Sequence, residues 1–166
     1  MTGEQPLDAL ALLRILRAHN VDFVVIGGFS LAAHGVVRGT KDLDVMPDPS
    51  TTNLESLMAA FEELGAQPLE LADFRPEELP YPLSVDALAA GGNWALSTRH
   101  GRLDVMRCVD AVDDYGQLRA SAVLLELGDE GPYAFAGLDD LVAMKRAAGR
   151  PQDLIDIADL ERARGA

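Results

Sequence analysis

The sequence predicts an α/β chain, with helices packed on a sheet, and three observations carry that prediction. Phe23-Val24-Val25-Ile26 is a continuous apolar run rich in β-branched residues, the pattern of a strand buried on both faces. Lys41-Asp42-Leu43-Asp44-Val45 alternates polar and apolar residues as a strand does; a helical pattern then runs to Leu64, and a short strand follows near Gln67–Leu71. Later, two pairs of short apolar runs at hairpin spacing precede a helical C-terminus.

Composition bounds the answer. The chain has 166 residues, enough for one domain with a substantial core, so residues 1–166 are expected to form a single domain. Its core would span 21–137, with a helical segment over 138–166. Hydrophobic residues make up 48% of the chain, which excludes general disorder. No apolar run is long enough to span a bilayer, and Met1–Gln5 lacks the basic-then-apolar order of a secretory signal. Cys108 is the only cysteine, so no internal disulfide can form, which fits a reducing cytoplasm. The net charge of −13 disfavours extended duplex DNA, whose binding rests on basic contacts to phosphate. It leaves room for a local basic patch that receives one nucleotide or one RNA end, and it suits a basic partner protein.

In chain order, Leu7, Leu10, Leu12 or Leu13, and Leu16 recur at helical spacing, with Pro6 in the first turn and Asn20 at the end. After the strand at 23–26, Gly27-Gly28 breaks the run. Phe29–His34 reads as a short helix stopped by Gly35. Pro47 and Pro49 end the next strand, and Thr52-Asn53-Leu54-Glu55 reads as a capping box, with Leu54, Leu57, Met58 and Phe61 as the buried stripe and Gly65 closing the helix. Residues 72–92 are irregular, broken by three prolines, with a short helix over Val85–Ala90 after Ser84. Trp94–Thr98 and Leu103–Met106 form a hairpin through Arg99–Arg102. Asp110–Tyr115 reads as a solvated helix start. Val123–Leu127 and Tyr133–Ala136 form a second hairpin near the sheet edge. Asp139 caps a helix through Lys145 to Ala148, with Leu138, Leu141, Val142 and Met144 inward and Gly149 ending it. A final helix packs through Leu154, Ile155, Ile157, Ala158 and Leu160.

The chemistry is concentrated in residues 23–46. Two glycines between a strand and a helix let backbone N–H groups approach a phosphate, and Ser30 offers a hydroxyl donor. Asp42 and Asp44 share one strand face and repel each other unless a cation sits between them. A hard divalent ion such as Mg2+ is the usual solution. Either feature alone is commonplace, a turn or a solvated strand edge. Together, a short helix apart, they read as metal-dependent handling of a nucleoside triphosphate. Asp104, alone between Leu103 and Val105, is costly to place in a strand without a purpose.

Gly27-Gly28-Phe29-Ser30 followed by Arg38-Gly39-Thr40-Lys41-Asp42-Leu43-Asp44 resembles the signature of the nucleotidyltransferase superfamily, the polymerase β-like fold. The segment Met144–Ile157, with Lys145, Gly149-Arg150, Asp153 and Asp156, is similar to the C-terminal segment of the AbiEii-like group, which includes toxins of toxin–antitoxin systems. The resemblance implies a mixed, twisted sheet flanked by helices. It implies transfer of a nucleoside monophosphate from an NTP to an acceptor hydroxyl. Asp42, Asp44 and Asp104 would be the catalytic, metal-holding carboxylates, with Mg2+ or Mn2+ as the cofactor. Gly27, Gly28 and Ser30 would cradle phosphates, Arg38 would meet phosphate, and Thr40, on the face of the aspartates, would orient them. Lys41 points to the other face and is the weaker candidate. Lys145 has two open readings, a phosphate contact or a structural ion pair; for Arg150 and Asp153 the structural reading is preferred.

Three functional classes follow: a toxin acting on the 3′ end of tRNA with a separately encoded antitoxin, a small-molecule nucleotidyltransferase of the aminoglycoside-modifying kind, and a non-catalytic nucleotide-binding antitoxin or regulatory module. Three converging carboxylates argue against the last. No internal repeat, zinc-binding spacing, Walker P-loop or Ser-His-Asp set is present, and His34, near the Gly-Gly turn, is read as a structural or surface residue.

Overall fold

A computed structural model describes residues 5–69 and 82–165. The irregular segment read over 72–92 and the end of the strand read to Leu71 lie in part outside the described residues. The chain runs β1 (Phe23–Ile26), α2 (Gly28–Ala32), β2 (Asp42–Pro47), α3 (Thr51–Leu64), β3 (Gln67–Pro68), α4 (Val85–Ala89), β4 (Trp94–Thr98), β5 (Gly101–Val105), α5 (Tyr115–Ala120), β6 (Val123–Glu126), β7 (Pro132–Phe135), α6 (Leu138–Ala148) and α7 (Pro151–Arg164), all preceded by α1 (Ala9–Ala18). The strands form one mixed sheet in the order β3-β4-β5-β2-β1-β7-β6. β2 pairs antiparallel with β1 and parallel with β5, and β1 pairs parallel with β7. This is the mixed sheet flanked by helices that the sequence implies.

Strand alternation divides the core in two. Val25, Leu43, Val45, Leu96, Leu103, Val105 and Phe135 face α1 and α3, which contribute Leu12, Leu13, Leu16, Leu54, Leu57 and Phe61. Val24, Ile26, Met46 and Ala134 face the other way and pack with Leu118, Leu141, Met144 and Leu160 of α5, α6 and α7. Leu43, Leu103 and Leu57 are fully buried. Each such side chain contributes about 1.5–3 kcal/mol relative to exposure. Since Asp42, Asp44 and Asp104 alternate with Leu43, Val45 and Leu103, they stand on the second face, at its edge beyond the apolar packing.

Several helix starts differ from the sequence reading, each for a hydrogen-bonding reason. α1 begins after Pro6, because Asp8 accepts from the Ala11 N–H at 3.0 Å and so caps the helix. Leu10 of its predicted stripe is the exposed member. In α3 the cap is Ser50, not Thr52, because the Ser50 hydroxyl accepts from the Asn53 backbone N–H at 3.4 Å, while the Asn53 side chain is buried and bonded elsewhere. The Asn53 side chain accepts from the Asp22 N–H at 2.7 Å and donates to the Asp22 and Asp48 carbonyls at 2.9 and 2.8 Å. It thereby closes the end of β2 against the start of β1. Gly65 ends α3 in the left-handed conformation, as its position predicts. In α6 the cap is Gly137, and Asp139 lies within the first turn.

The inner face of α7 is the larger correction. Leu154, Ile155 and Ala158 are exposed, while Asp153, Asp156, Ile157 and Leu160 are buried. The inward stripe therefore keeps the i, i+3, i+4, i+7 spacing of a packed helix but carries two aspartates. A hydrophobic count cannot register charges as core residues; here they are paired, as described below.

Candidate functional site

Strand register assembles the site. Across the parallel β2–β5 pair, Asp42 stands opposite Arg102 and Asp44 opposite Asp104. Across the antiparallel pair, Asp44 stands opposite Ile26, so the carboxylates lie directly after the end of β1, where Gly27-Gly28 turns into α2. One carboxylate oxygen from each of Asp42, Asp44 and Asp104 falls within 4.8 Å of the others. The structure thus brings together the three carboxylates that the sequence singles out. Three acidic groups at that spacing, offering hard oxygen donors and only partly exposed, fit a divalent cation such as Mg2+ or Mn2+.

The electrostatics show what that closeness costs. The Asp44 carboxyl is pushed from 3.8 up to about 7, first by burial and then by the charges of Asp42 and Asp104, against which Arg102 pulls only partly. A group poised near neutral pH by like charges is the usual mark of a site built to hold a cation or move a proton.

Arg102 is the functional residue that the sequence reading left in a hairpin turn. Its Nε and Nη2 donate to the two oxygens of Asp104 at 2.8 and 3.0 Å, and Nε lies 3.6 Å from Asp42 Oδ2. The three carboxylates hold the Arg102 guanidinium above its ordinary pKa, with the Asp104 hydrogen bonds contributing most. The signal was present in the strand pattern. Arg102-Leu103-Asp104-Val105 repeats the alternation of Asp42-Leu43-Asp44-Val45, and period two puts Arg102 on the face of Asp104.

The remaining predicted residues sort into two groups. Gly27, the residue before α2, has φ +70 and ψ −150, a backbone conformation that glycine alone adopts readily. Gly28 packs against Thr40. Thr40 donates to the Asp42 carbonyl at 3.0 Å and lies 3.4 Å from Asp42 Oδ1, a geometry that holds Asp42 in place. Ser30, expected to offer its hydroxyl to phosphate, is fully buried and donates to the Gly27 carbonyl at 2.6 Å. Its proton is spent inside the turn, on the carbonyl three residues back, as serine hydroxyls in helices commonly do. Lys41 lies just before β2 and is exposed, because the strand that would turn it to the Leu43 and Val45 face begins at Asp42.

Arg38 and Lys145 meet each other's partners, not the triad. Arg38 grips Asp156 with Nε and Nη2, both at 3.1 Å. Lys145, nearly buried, places Nζ 2.9 Å from Asp156 and 3.5 Å from Asp153. Gln152 donates to Asp156 at 2.9 Å. Burial works against the Asp156 charge, yet these donors keep its carboxyl below the ordinary value. Arg150 donates its backbone N–H and guanidinium to Asp153, closing a capping box at the start of α7 and holding the Asp153 carboxyl low. The structure therefore answers the two readings of Lys145 with an ion pair, and it ties the segment that leads into β2 to the last two helices. His34 is held at Ala136, its Nε2 lying 2.8 Å from that carbonyl oxygen.

The sequence matches no protein-family model and no curated protein. Its fold is similar to those of solved nucleotidyltransferases. The lincosamide antibiotic adenylyltransferase LnuA, solved with lincomycin bound, aligns over 95% of this chain and 98% of its own, with a TM-score of 0.55 and 13% identity. The antibiotic-resistance factor ANT(2'')-Ia aligns over 93% of this chain and 80% of its own, with a TM-score of 0.53 and 16% identity. A Thermotoga maritima protein assigned to the nucleotidyltransferases aligns over 95% and 96%, with a TM-score of 0.53 and 15% identity. The shared property is the nucleotidyltransferase fold.

Proposed function

We propose that this chain is a metal-dependent nucleotidyltransferase that moves a nucleoside monophosphate from an NTP to an acceptor hydroxyl. The observation that carries the reading is the convergence of Asp42, Asp44 and Asp104 within 4.8 Å beside a glycine turn, in a chain with this fold. A divalent ion bound there would supply charge neutralisation at the triphosphate and lower the pKa of a hydroxyl. Asp42 and Asp44 hold it, and Thr40 keeps Asp42 oriented. Gly27 and Gly28 let the backbone come close to phosphate oxygens. Asp104 accepts the acceptor's proton; the acceptor oxygen bonds to the α-phosphorus, the bond from that phosphorus to the β-phosphate oxygen breaks, and pyrophosphate leaves. Arg38 approaches the phosphates only by loosening its grip on Asp156. Lys145 acts at a distance, by fixing α6 and α7. In this reading residues 1–166 work as one cytoplasmic domain, whose core over 21–137 carries the carboxylates and whose segment 138–166 braces them.

Two acceptor classes remain in the proposal. The tRNA 3′ end, with a separately encoded antitoxin as partner, rests on the resemblance to the AbiEii-like group. A small-molecule acceptor is in keeping with the fold shared with LnuA, almost the whole of whose chain has a counterpart here, and with the net charge of −13. The test is incubation with each of the four NTPs, radiolabelled at the α-phosphate, with Mg2+ and total cellular RNA, beside Asp44→Ala. Label that enters tRNA and is lost in the variant supports the toxin class. Mg2+-dependent NTP binding without labelled RNA supports a small acceptor. No NTP binding overturns the transferase reading.

A further inference from the structure

The triad carries its own counter-ion. Arg102 does not merely lie near the carboxylates; its fork takes both oxygens of Asp104 side-on, at 2.8 and 3.0 Å, and leans on Asp42 at 3.6 Å. Among the described residues, Arg102 provides the ion pairs made to these three aspartates. The arrangement follows from register, since β5 sets Arg102 opposite Asp42 and Asp104 opposite Asp44. The Arg102 side chain is 38% exposed, so it can swing outward without moving the backbone of β5. Asp104, by contrast, is buried and fixed in its strand.

We propose that Arg102 is a positioning residue that competes with the divalent cation for Asp104, holding that carboxylate in the protein alone and yielding it when the cation binds. The inference rests on the metal reading of the triad given above. Its physical basis is donor count. A cation that takes oxygens from all three aspartates needs an Asp104 oxygen facing Asp42 and Asp44, the side on which Arg102 presents its positive charge. Guanidinium and cation repel at that distance, so occupancy of one weakens the other. The opposite role, an arginine that orients a metal ligand and so strengthens the site, makes the opposite prediction.

The experiment is Mn2+ binding followed by electron paramagnetic resonance of the free ion, with wild type, Arg102→Gln, Arg102→Lys and Asp44→Asn, at a pH above the Asp44 value. Arg102→Gln is expected to bind Mn2+ about tenfold more tightly than wild type, the size of one lost charge-assisted pair. Without metal it is expected to melt lower than wild type, and its melting point should rise further on adding Mn2+. Arg102→Lys, which keeps the charge but loses the fork, should fall between the two. Equal or weaker Mn2+ binding by folded Arg102→Gln overturns the inference. If that variant does not fold, Arg102→Lys decides on the same criterion. Wild type that binds Mn2+ no better than Asp44→Asn overturns the metal reading itself, an outcome distinct from failure of the competition alone.

Discussion

Gly27 and Asp44 stand so close that a Cβ on the glycine would lie 2.1 Å from Asp44 Oδ2. The turn and the carboxylate are thus one unit: the backbone of Gly27 occupies the space beside the acid that a side chain would fill. Gly27 also has a positive φ, so any replacement strains the backbone as well. Gly27→Ala is expected to cost about 2–4 kcal/mol in urea unfolding and to displace Asp44, which abolishes Mn2+ uptake. Gly28→Ala meets only Thr40, at 3.0 Å and with an ordinary φ, so it should cost less than half as much.

Asp44 should make the metal-free protein lose stability as pH rises. Its folded value of about 7 exceeds the ordinary 3.8, so between these values the folded chain binds the extra proton. Stability from this group is full below 3.8 and is lost as pH rises through about 7, at a total on the order of 4 kcal/mol. Thermal melts in chelator should therefore shift downward from mildly acidic to mildly alkaline buffer. Asp44→Asn should flatten that slope and melt higher than wild type in alkaline buffer. A melting point that climbs with pH over this range would contradict the assignment.

Divalent cations should reverse that loss, because protons and metal compete for the same carboxylates. Mg2+ or Mn2+ is expected to raise the melting point strongly in alkaline buffer and hardly at all in acid. Asp42→Ala and Asp44→Ala should remove both the shift and about a thousandfold of any NMP transfer while leaving the circular dichroism spectrum intact.

Asp156 is the most sensitive position in the C-terminal helices. It is fully buried and accepts from Lys145, Arg38 and Gln152. Asp156→Ala leaves Lys145 buried beside Asp153 alone, and should cost about 3–5 kcal/mol in urea unfolding. Arg38→Ala removes a half-exposed partner while Lys145 and Gln152 remain, so about 1 kcal/mol is expected.

How much of this the sequence discloses depends on whether a residue acts through its neighbours in the chain or across the sheet. Asp42 and Asp44 are legible because strand parity is local, and β1 is legible because all four of its residues are buried. Asp104 is legible as a charge out of place between Leu103 and Val105. Arg102 escapes because its meaning depends on which strands pair and in what register, although its parity with Asp104 was readable. The buried aspartates of α7 escape for the converse reason: their partners, Lys145 and Arg38, come from other elements, so polarity marks them as surface. Ser30 is the case where the motif names a donor and the geometry gives its proton to the Gly27 carbonyl, a local back-bond that residue type alone does not reveal.

The register that sets Asp44 opposite Asp104 also bears on how the chain folds. β1 with β2, and β4 with β5, are antiparallel pairs close in sequence; the first carries Asp42 and Asp44, the second Asp104. The two differ in charge: Asp42 and Asp44 already repel along β2, whereas Arg102 neutralises Asp104 on β5. The charge of Asp104 is added to that repulsion when the two parts dock through the long-range β2–β5 contact, the slow and entropically costly kind of step. Arg102, set against Asp42 by the same register, softens that encounter, whereas a slip of one residue would turn Asp104 toward the leucine core and leave Arg102 without a mate. A divalent cation bound by the three aspartates would act as a clasp between the two strand pairs, and the refolding rate of the chain, not only its final stability, should record whether the clasp is present.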